Sequence, residues 1–203
     1  MSGTQTKSES RRQRVLDAAL EVFAREGYGN AAVDEIARRS DTSKGGVYFH
    51  FPSKQAMFLA LIDAAAALLL DRTRRAMAET DDPIAKGDAA LLAVLRTFGG
   101  HRALARLLLI EALGAGREFN QRLSDLHAEF AFLIAAWLDE AIAAGAIPPQ
   151  DVALASVAWF GAVNQTVTRW VLTGAPERLE DAYPTLRALL LHGLHGPCEG
   201  NRE

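Results

Sequence analysis

The chain has 203 residues, 49% of them hydrophobic and 23% charged, and carries a formal net charge of −3. That length and balance suit one substantial core, or a small domain joined to a larger one, and exclude a wholly disordered chain. A single cysteine, Cys198, excludes a disulfide framework and a thiolate metal cluster and fits a reducing, cytoplasmic setting.

The start, MSGTQTKSESRRQR, lacks an apolar run and does not read as a signal peptide; apolar runs such as 64–70 are too short to span a bilayer, so no membrane partner is expected. Charge is unevenly spread. Residues 1–56 hold 9 basic and 7 acidic side chains, while residues 57–203 hold 13 and 18. The overall charge argues against nucleic acid and the local excess argues weakly for it.

In chain order, residues 1–9 read as a polar, disordered lead. Ser10 with Gln13 forms a capping-box pattern, and Val15, Ala19, Val22 and Phe23 recur at helical spacing to a stop at Gly27, predicting a first helix over 10–26. Gly27–Asn30 is a turn. A second helix over 33–39 presents Val33, Ile36 and Ala37 inward and puts Asp34 and Glu35 in the first turn, where the helix dipole favours them.

A turn at 40–42 leads into TSKGGVYFHFPSK, Thr42–Lys54, the segment with the most unusual composition. Ser43 is placed to cap a helix starting at Lys44, whose first N–H groups suit an anion. Pro52 ends that helix, and Ser53 caps the next. Gly45 and Gly46 each cost about 1 kcal/mol of helix stability relative to alanine, so a helix kept here lets something approach its backbone. Two short helices joined by a three- to four-residue turn have helix-turn-helix proportions, the second sized for a major groove.

A long helix follows over 54–77 on the stripe Met57, Phe58, Leu61, Ala65, Leu68, with a break at Glu79–Pro83. Further helices are predicted over 86–98, 102–113, 118–144, 150–173 and 179–194, parted by Gly99–Gly100, Gly114–Gly116, Gly145–Pro149 and Gly174–Pro176, with no strand pattern. The last two are apolar on more than one face. Ala155, Trp159, Ala162, Thr166 and Trp170, with Tyr183, Leu186, Leu189 and Leu190, form the stripe expected either to bury a homodimer interface or to lie centrally in one bundle.

The stretch from Val15 to Phe58 resembles the TetR family of bacterial transcriptional regulators. The resemblance rests on Val15–Ala19, Phe23–Gly29, Ile36–Ala37 and above all Ser43–Lys54, about a quarter of the chain. It implies an all-α fold of about nine helices: an N-terminal three-helix helix-turn-helix DNA-binding domain over 1–56, then a helical ligand-binding and dimerisation bundle over 57–203. It implies that Lys44 and Gly46 meet base edges and that Tyr48, His50 and Lys54 contact phosphates. Phe49 lies near the groove, and Arg11, Arg12 and Arg14 form either an arm along phosphates or a solvated helix cap.

Two departures stand out. Gly46 replaces a common threonine, leaving close backbone approach, Thr42, Ser43 or DNA shape to take its part in readout. Ala31 and Ala32 replace the usual cap of the second helix, leaving Asn30 as its only cap candidate.

The family also implies an effector pocket in the C-terminal bundle, with candidates Phe98, Arg106, Leu107, Glu111, Phe119, Leu123, His127, Phe130, Trp137, Phe160 and Asn164, most of them equally good core residues. Arg106, Glu111, His127 and Asn164 would be costly among leucines without a partner. A mostly apolar effector fits such a wall: an acyl chain, an aromatic acid or its thioester, or a hydrophobic drug. No metal spacing, nucleophile–base pair or paired carboxylates occur, so no enzyme, metal or cofactor is expected. The function implied is a dimeric, ligand-released repressor at a palindromic operator. The alternative is a helical ligand-binding or interaction scaffold that does not bind an operator.

Overall fold

The computed structural model describes residues 2–113 and 115–192; Cys198, Gly114 and the last two residues of the expected 179–194 helix lie outside them. The described residues are all-α, with nine α-helices and no strand: α1 (Ser2–Asn30), α2 (Val33–Arg39), α3 (Lys44–His50), α4 (Lys54–Met77), α5 (Pro83–Gly100), α6 (Arg102–Arg106), α7 (Arg117–Ala143), α8 (Val152–Thr173) and α9 (Tyr183–Arg187). No single described helix is long and apolar enough to cross a membrane.

Several boundaries follow local chemistry. Asp82 Oδ2 accepts from the Ala85 N–H at 2.7 Å, and Pro83 opens α5, where its missing N–H costs nothing. Asp151 Oδ1 caps α8 at 3.0 Å from Leu154 N, and Gly174, in the left-handed region at φ 73°, closes it.

Other boundaries differ from the sequence reading. The helix expected from residue 10 starts at Ser2, so the polar lead is helical and Ser10 with Gln13 is not its cap; Gln13 instead donates one turn on to Asp17 at 2.8 Å. The reason is propensity: Gln, Lys, Glu and Arg are good helix formers that need no apolar face. The other end agrees: Gly27 at φ 78°, ψ 158° is non-helical and breaks α1 after residue 26, where the stop is expected, and a short helical stretch then runs on to Asn30. The helix expected over 102–113 is α6 followed by a π turn at Leu107–Glu111, and that expected from 179 is a 3₁₀ turn, α9 and a second π turn at Ala188–His192.

The chain forms two compact units. The first comprises residues 1–68 and 101–124, the second residues 69–100 and 125–203. They do not divide at the expected 56/57 boundary, because α6 and its π turn pack on α1. The first unit closes on Val15, Val22, Phe23, Ile36, Val47, Met57, Phe58, Ile62 and Leu107, each fully buried. Phe58 sits among three rings, with centroids 5.0 Å from Phe23, 4.8 Å from Tyr28 and 5.1 Å from Phe119. Gln55 bonds Glu118, and Arg122 meets Asp63 at 2.6 Å, pinning α4 to the start of α7.

In the second unit Leu95, Leu138, Val167 and Leu179 are fully buried. Trp137 fastens three helices: its indole N–H donates to Pro83 O at 2.6 Å, its ring is 4.9 Å from Trp159, and a methyl on Gly87 would lie 2.5 Å from it.

Candidate nucleic-acid interface

The turn between α2 and α3 is built from short polar side chains. Ser40 is buried and donates to Ala37 O at 3.2 Å, Asp41 takes φ 51°, and Thr42 donates to Ser40 O at 3.2 Å. Asp tolerates this left-handed conformation better than most residues. Ser43 is the α3 cap, its Oγ accepting from Gly46 N at 3.1 Å, and Phe51 in extended geometry ends the helix before Pro52. Replacing Ser43 with alanine is expected to cost about 1 kcal/mol, read as a lower denaturant midpoint at unchanged slope.

Val47 is fully buried and fixes which face of α3 turns outward. That face shows Lys44, Gly45, Tyr48 and Phe49, the last 81% exposed, while Gly46 and His50 are half-covered. Lys44 is ion-paired with Asp34 at 2.9 Å, a bond that raises its pKa. The two glycines differ. A methyl on Gly46 would lie 2.6 Å from the Thr42 methyl and 3.3 Å from the capping Ser43 Oγ, so the fold itself requires a bare position there. A methyl on Gly45 would meet nothing within 4 Å. In an exposed helix such a glycine costs about 1 kcal/mol relative to alanine with no intramolecular compensation.

Lys54 is not a free surface cation. Its ammonium donates to Ala31 O at 2.8 Å and Gly29 O at 3.1 Å and lies 4.9 Å over the Tyr28 ring; burial lowers its pKa. Two of its three donors therefore tie the start of α4 to the loop before α2. Asn30 does not cap α2: its amide donates to Glu26 O at 3.3 Å, and Ala32 occupies the cap position without a side-chain bond. Arg11, Arg12 and Arg14 lie inside α1, not in an extended arm, and the Arg12 guanidinium sits 4.8 Å over the buried Phe51 ring. Arg39 joins α1 to α2 through Glu21 at 3.1 Å and Glu35 at 2.7 Å; hydrogen bonds first from Arg38 and then from Arg39 hold Glu35 down at about 2.

The expected effector residues fall in both units. In the first, Leu107, Phe119 and Leu123 are core, and Glu111 accepts from Arg106 at 3.2 Å while its other oxygen lies 3.1 Å from where a Gly27 methyl would stand. In the second, Phe98 and Trp137 are core. His127, Phe130, Phe160 and Asn164 are half-buried: Phe160 is 4.8 Å from the His127 ring and 6.2 Å from Phe130, and Asn164 accepts from Thr168 at 3.4 Å.

Burial lowers the His127 pKa below 6.5. Between the two values the unfolded chain binds the proton and the folded chain does not. Stability is therefore expected to be full above pH 6.5 and to fall with pH below it, and His127→Gln should flatten that part of a denaturant-midpoint titration.

On α8 and beyond, Trp159, Trp170, Leu186 and Leu190 are buried within the unit, while Ala155, Ala162, Thr166 and Tyr183 are half-buried. Of the expected interface residues Leu189 stands out at 64% exposure, and the sequence reading missed its exposed companions Leu154, Val157 and Leu172. On a helix apolar all round, periodicity does not say which face is outward.

Comparison with known proteins gives these features a context. Residues 15–61 match the model for bacterial regulatory proteins of the tetR family, and residues 63–193 the model for the C-terminal region of YsiA-like proteins. The chain is 25% identical over 183 residues to the fatty acid metabolism regulator protein of Bacillus subtilis, covering 90% of this chain and 94% of that one. The crystal structure of FadR from Bacillus subtilis in complex with stearoyl-CoA superposes with a TM-score of 0.83 at 25% identity, covering 90% of this chain and 99% of that one. That of the fatty acid degradation regulator FadR from Bacillus halodurans has the same TM-score at 24% identity, covering 90% and 98%. With a helix-turn-helix unit and a C-terminal region that both match, the chain belongs to the TetR family of bacterial regulatory proteins and is a ligand-responsive transcriptional regulator.

Proposed function

We propose that this regulator is a homodimeric repressor that holds two α3 helices over a palindromic operator and releases it on binding a long-chain acyl thioester. The observation that carries the DNA half is the outward face of α3, where Tyr48 and Phe49 stand exposed on a helix anchored from behind by Val47. Half-sites about 34–36 Å apart are expected, one helical turn of DNA. Tyr48 and His50 are assigned to phosphates, with the third donor of Lys54 beside them; phosphates set register and bases set sequence. The ligand half is supported by the relative bound to stearoyl-CoA and by the half-buried rings of His127, Phe130 and Phe160.

The test is fluorescence anisotropy with DNA flanking the regulator's own gene, with stearoyl-CoA, free CoA or stearate added. Loss of binding with stearoyl-CoA alone is expected; equal affinity in all four conditions would reject the release mechanism. Affinity should fall steeply with salt, and Tyr48→Phe should weaken it without abolishing the salt dependence.

Dimerisation is assigned to the apolar face of Leu154, Val157 and Leu172 on α8, with the exposed Leu189 as a further candidate. The double substitution Leu154→Asp, Val157→Asp is expected to give a monomer of 22.0 kDa in sedimentation equilibrium and to abolish operator binding, with helicity retained.

A further inference from the structure

Gly45 and Phe49 together form a bare patch with an aromatic rim on the outward face of α3. They are one helical turn apart and therefore on the same face. Among the described residues, and leaving aside its chain neighbours and its own helix backbone, nothing lies within 4 Å of where a Gly45 methyl would stand, and Phe49 is 81% exposed, its ring 5.2 Å from that of His50. Neither feature serves the fold: an exposed glycine weakens a helix, and an exposed phenylalanine leaves apolar surface in water. The neighbouring Gly46 shows the opposite case, a glycine the Thr42 methyl demands. Of the outward side chains of α3, the cation Lys44 is held by Asp34 at 2.9 Å, so charged readout from α3 begins with a broken ion pair.

We infer that Gly45 and Phe49 determine operator specificity by seating the C5-methyl group of a thymine against the bare α3 backbone under the Phe49 ring, at one position in each half-site. In the major groove that methyl is the one apolar group that distinguishes thymine, and apolar side chains including phenylalanine read it. A bare backbone lets the helix descend far enough for the ring to reach it. The inference rests on the operator reading above and adds which group of which base is read.

The test uses the full-length protein and a duplex that the wild-type protein selects from a random pool. Each thymine is replaced in turn by deoxyuridine, symmetrically in both half-sites, which removes a methyl and leaves base pairing intact. The wild type is expected to lose about fourfold in affinity per methyl at one symmetric pair of positions. Gly45→Ala is expected to fold at least as stably as the wild type, to bind the thymine duplex at least about tenfold more weakly, and to be indifferent to deoxyuridine at that pair. Phe49→Ala should show the same indifference while keeping the wild-type salt dependence.

Deoxyuridine without effect at every position, or Gly45→Ala binding as the wild type does, overturns the inference and leaves the operator reading intact. If the wild type selects no duplex, the operator reading falls and takes the inference with it.

Discussion

Trp137→Ala is expected to lower stability by about 3–5 kcal/mol, the usual range for removing a large buried aromatic side chain. The indole is 4% exposed, packs on Trp159, donates to Pro83 O and fills the space over Gly87. Truncation therefore opens a cavity where α5, α7 and α8 meet and leaves the Pro83 carbonyl without its indole donor. Trp137→Phe keeps most of the packing and loses the hydrogen bond, so about 1–3 kcal/mol is expected. Gly87→Ala places a methyl 2.5 Å from the ring, and overpacking of this kind costs about 1–3 kcal/mol. Against Trp137→Ala the same methyl enters an empty space. The double variant should be more stable than the sum of the two losses predicts, and denaturant melts of the four proteins measure that coupling directly. Simple additivity would mean that the two residues do not share this contact.

Phe58→Ala is expected to have an effect of the same size, about 3–5 kcal/mol, in the first unit. Its fully buried ring touches Phe23, Tyr28 and Phe119, so the loss reaches α1 and α7 together with α4. A functional consequence follows from Tyr28. That ring lies under the Lys54 ammonium, which holds the carbonyls of Gly29 and Ala31 just before α2. A loosened Tyr28 is expected to loosen the clasp between α4 and the helix-turn-helix. Operator affinity should fall even at temperatures where circular dichroism still shows native helicity, whereas Phe58→Leu should restore much of both. Native affinity in a folded Phe58→Ala protein would disconnect the aromatic cluster from DNA binding.

Whether a feature was legible in the sequence depended on how local its cause is. Ser43 capping α3, Phe51–Pro52 ending it and Ser53 accepting from the Ala56 N–H at 3.0 Å depend on neighbours within three residues, and all are present as read. The limits of α2 and α4 agree with the expected 33–39 and 54–77 for the same reason. The polar start of α1 was not legible, because helix propensity without an apolar stripe resembles a solvated lead. Nor were the roles of the titratable residues. Glu111 answers to Arg106 and the Gly27 kink, and Lys54 to carbonyls more than twenty residues away.

The sequence by itself determined the all-helical order, the limits of α2 and α4 and the caps within the helix-turn-helix segment Thr42–Lys54, since these rest on backbone hydrogen bonds and side-chain spacings a few residues long. Only the tertiary structure decided which faces meet. It put Trp159 and Trp170 inside and Leu154, Val157 and Leu172 outside on a helix whose composition allows either, and grouped α6 with α1. It also separated two adjacent glycines into one that the fold requires and one that it does not. Facing and packing are set by volumes brought together from distant parts of the chain, and residue type alone does not carry that information.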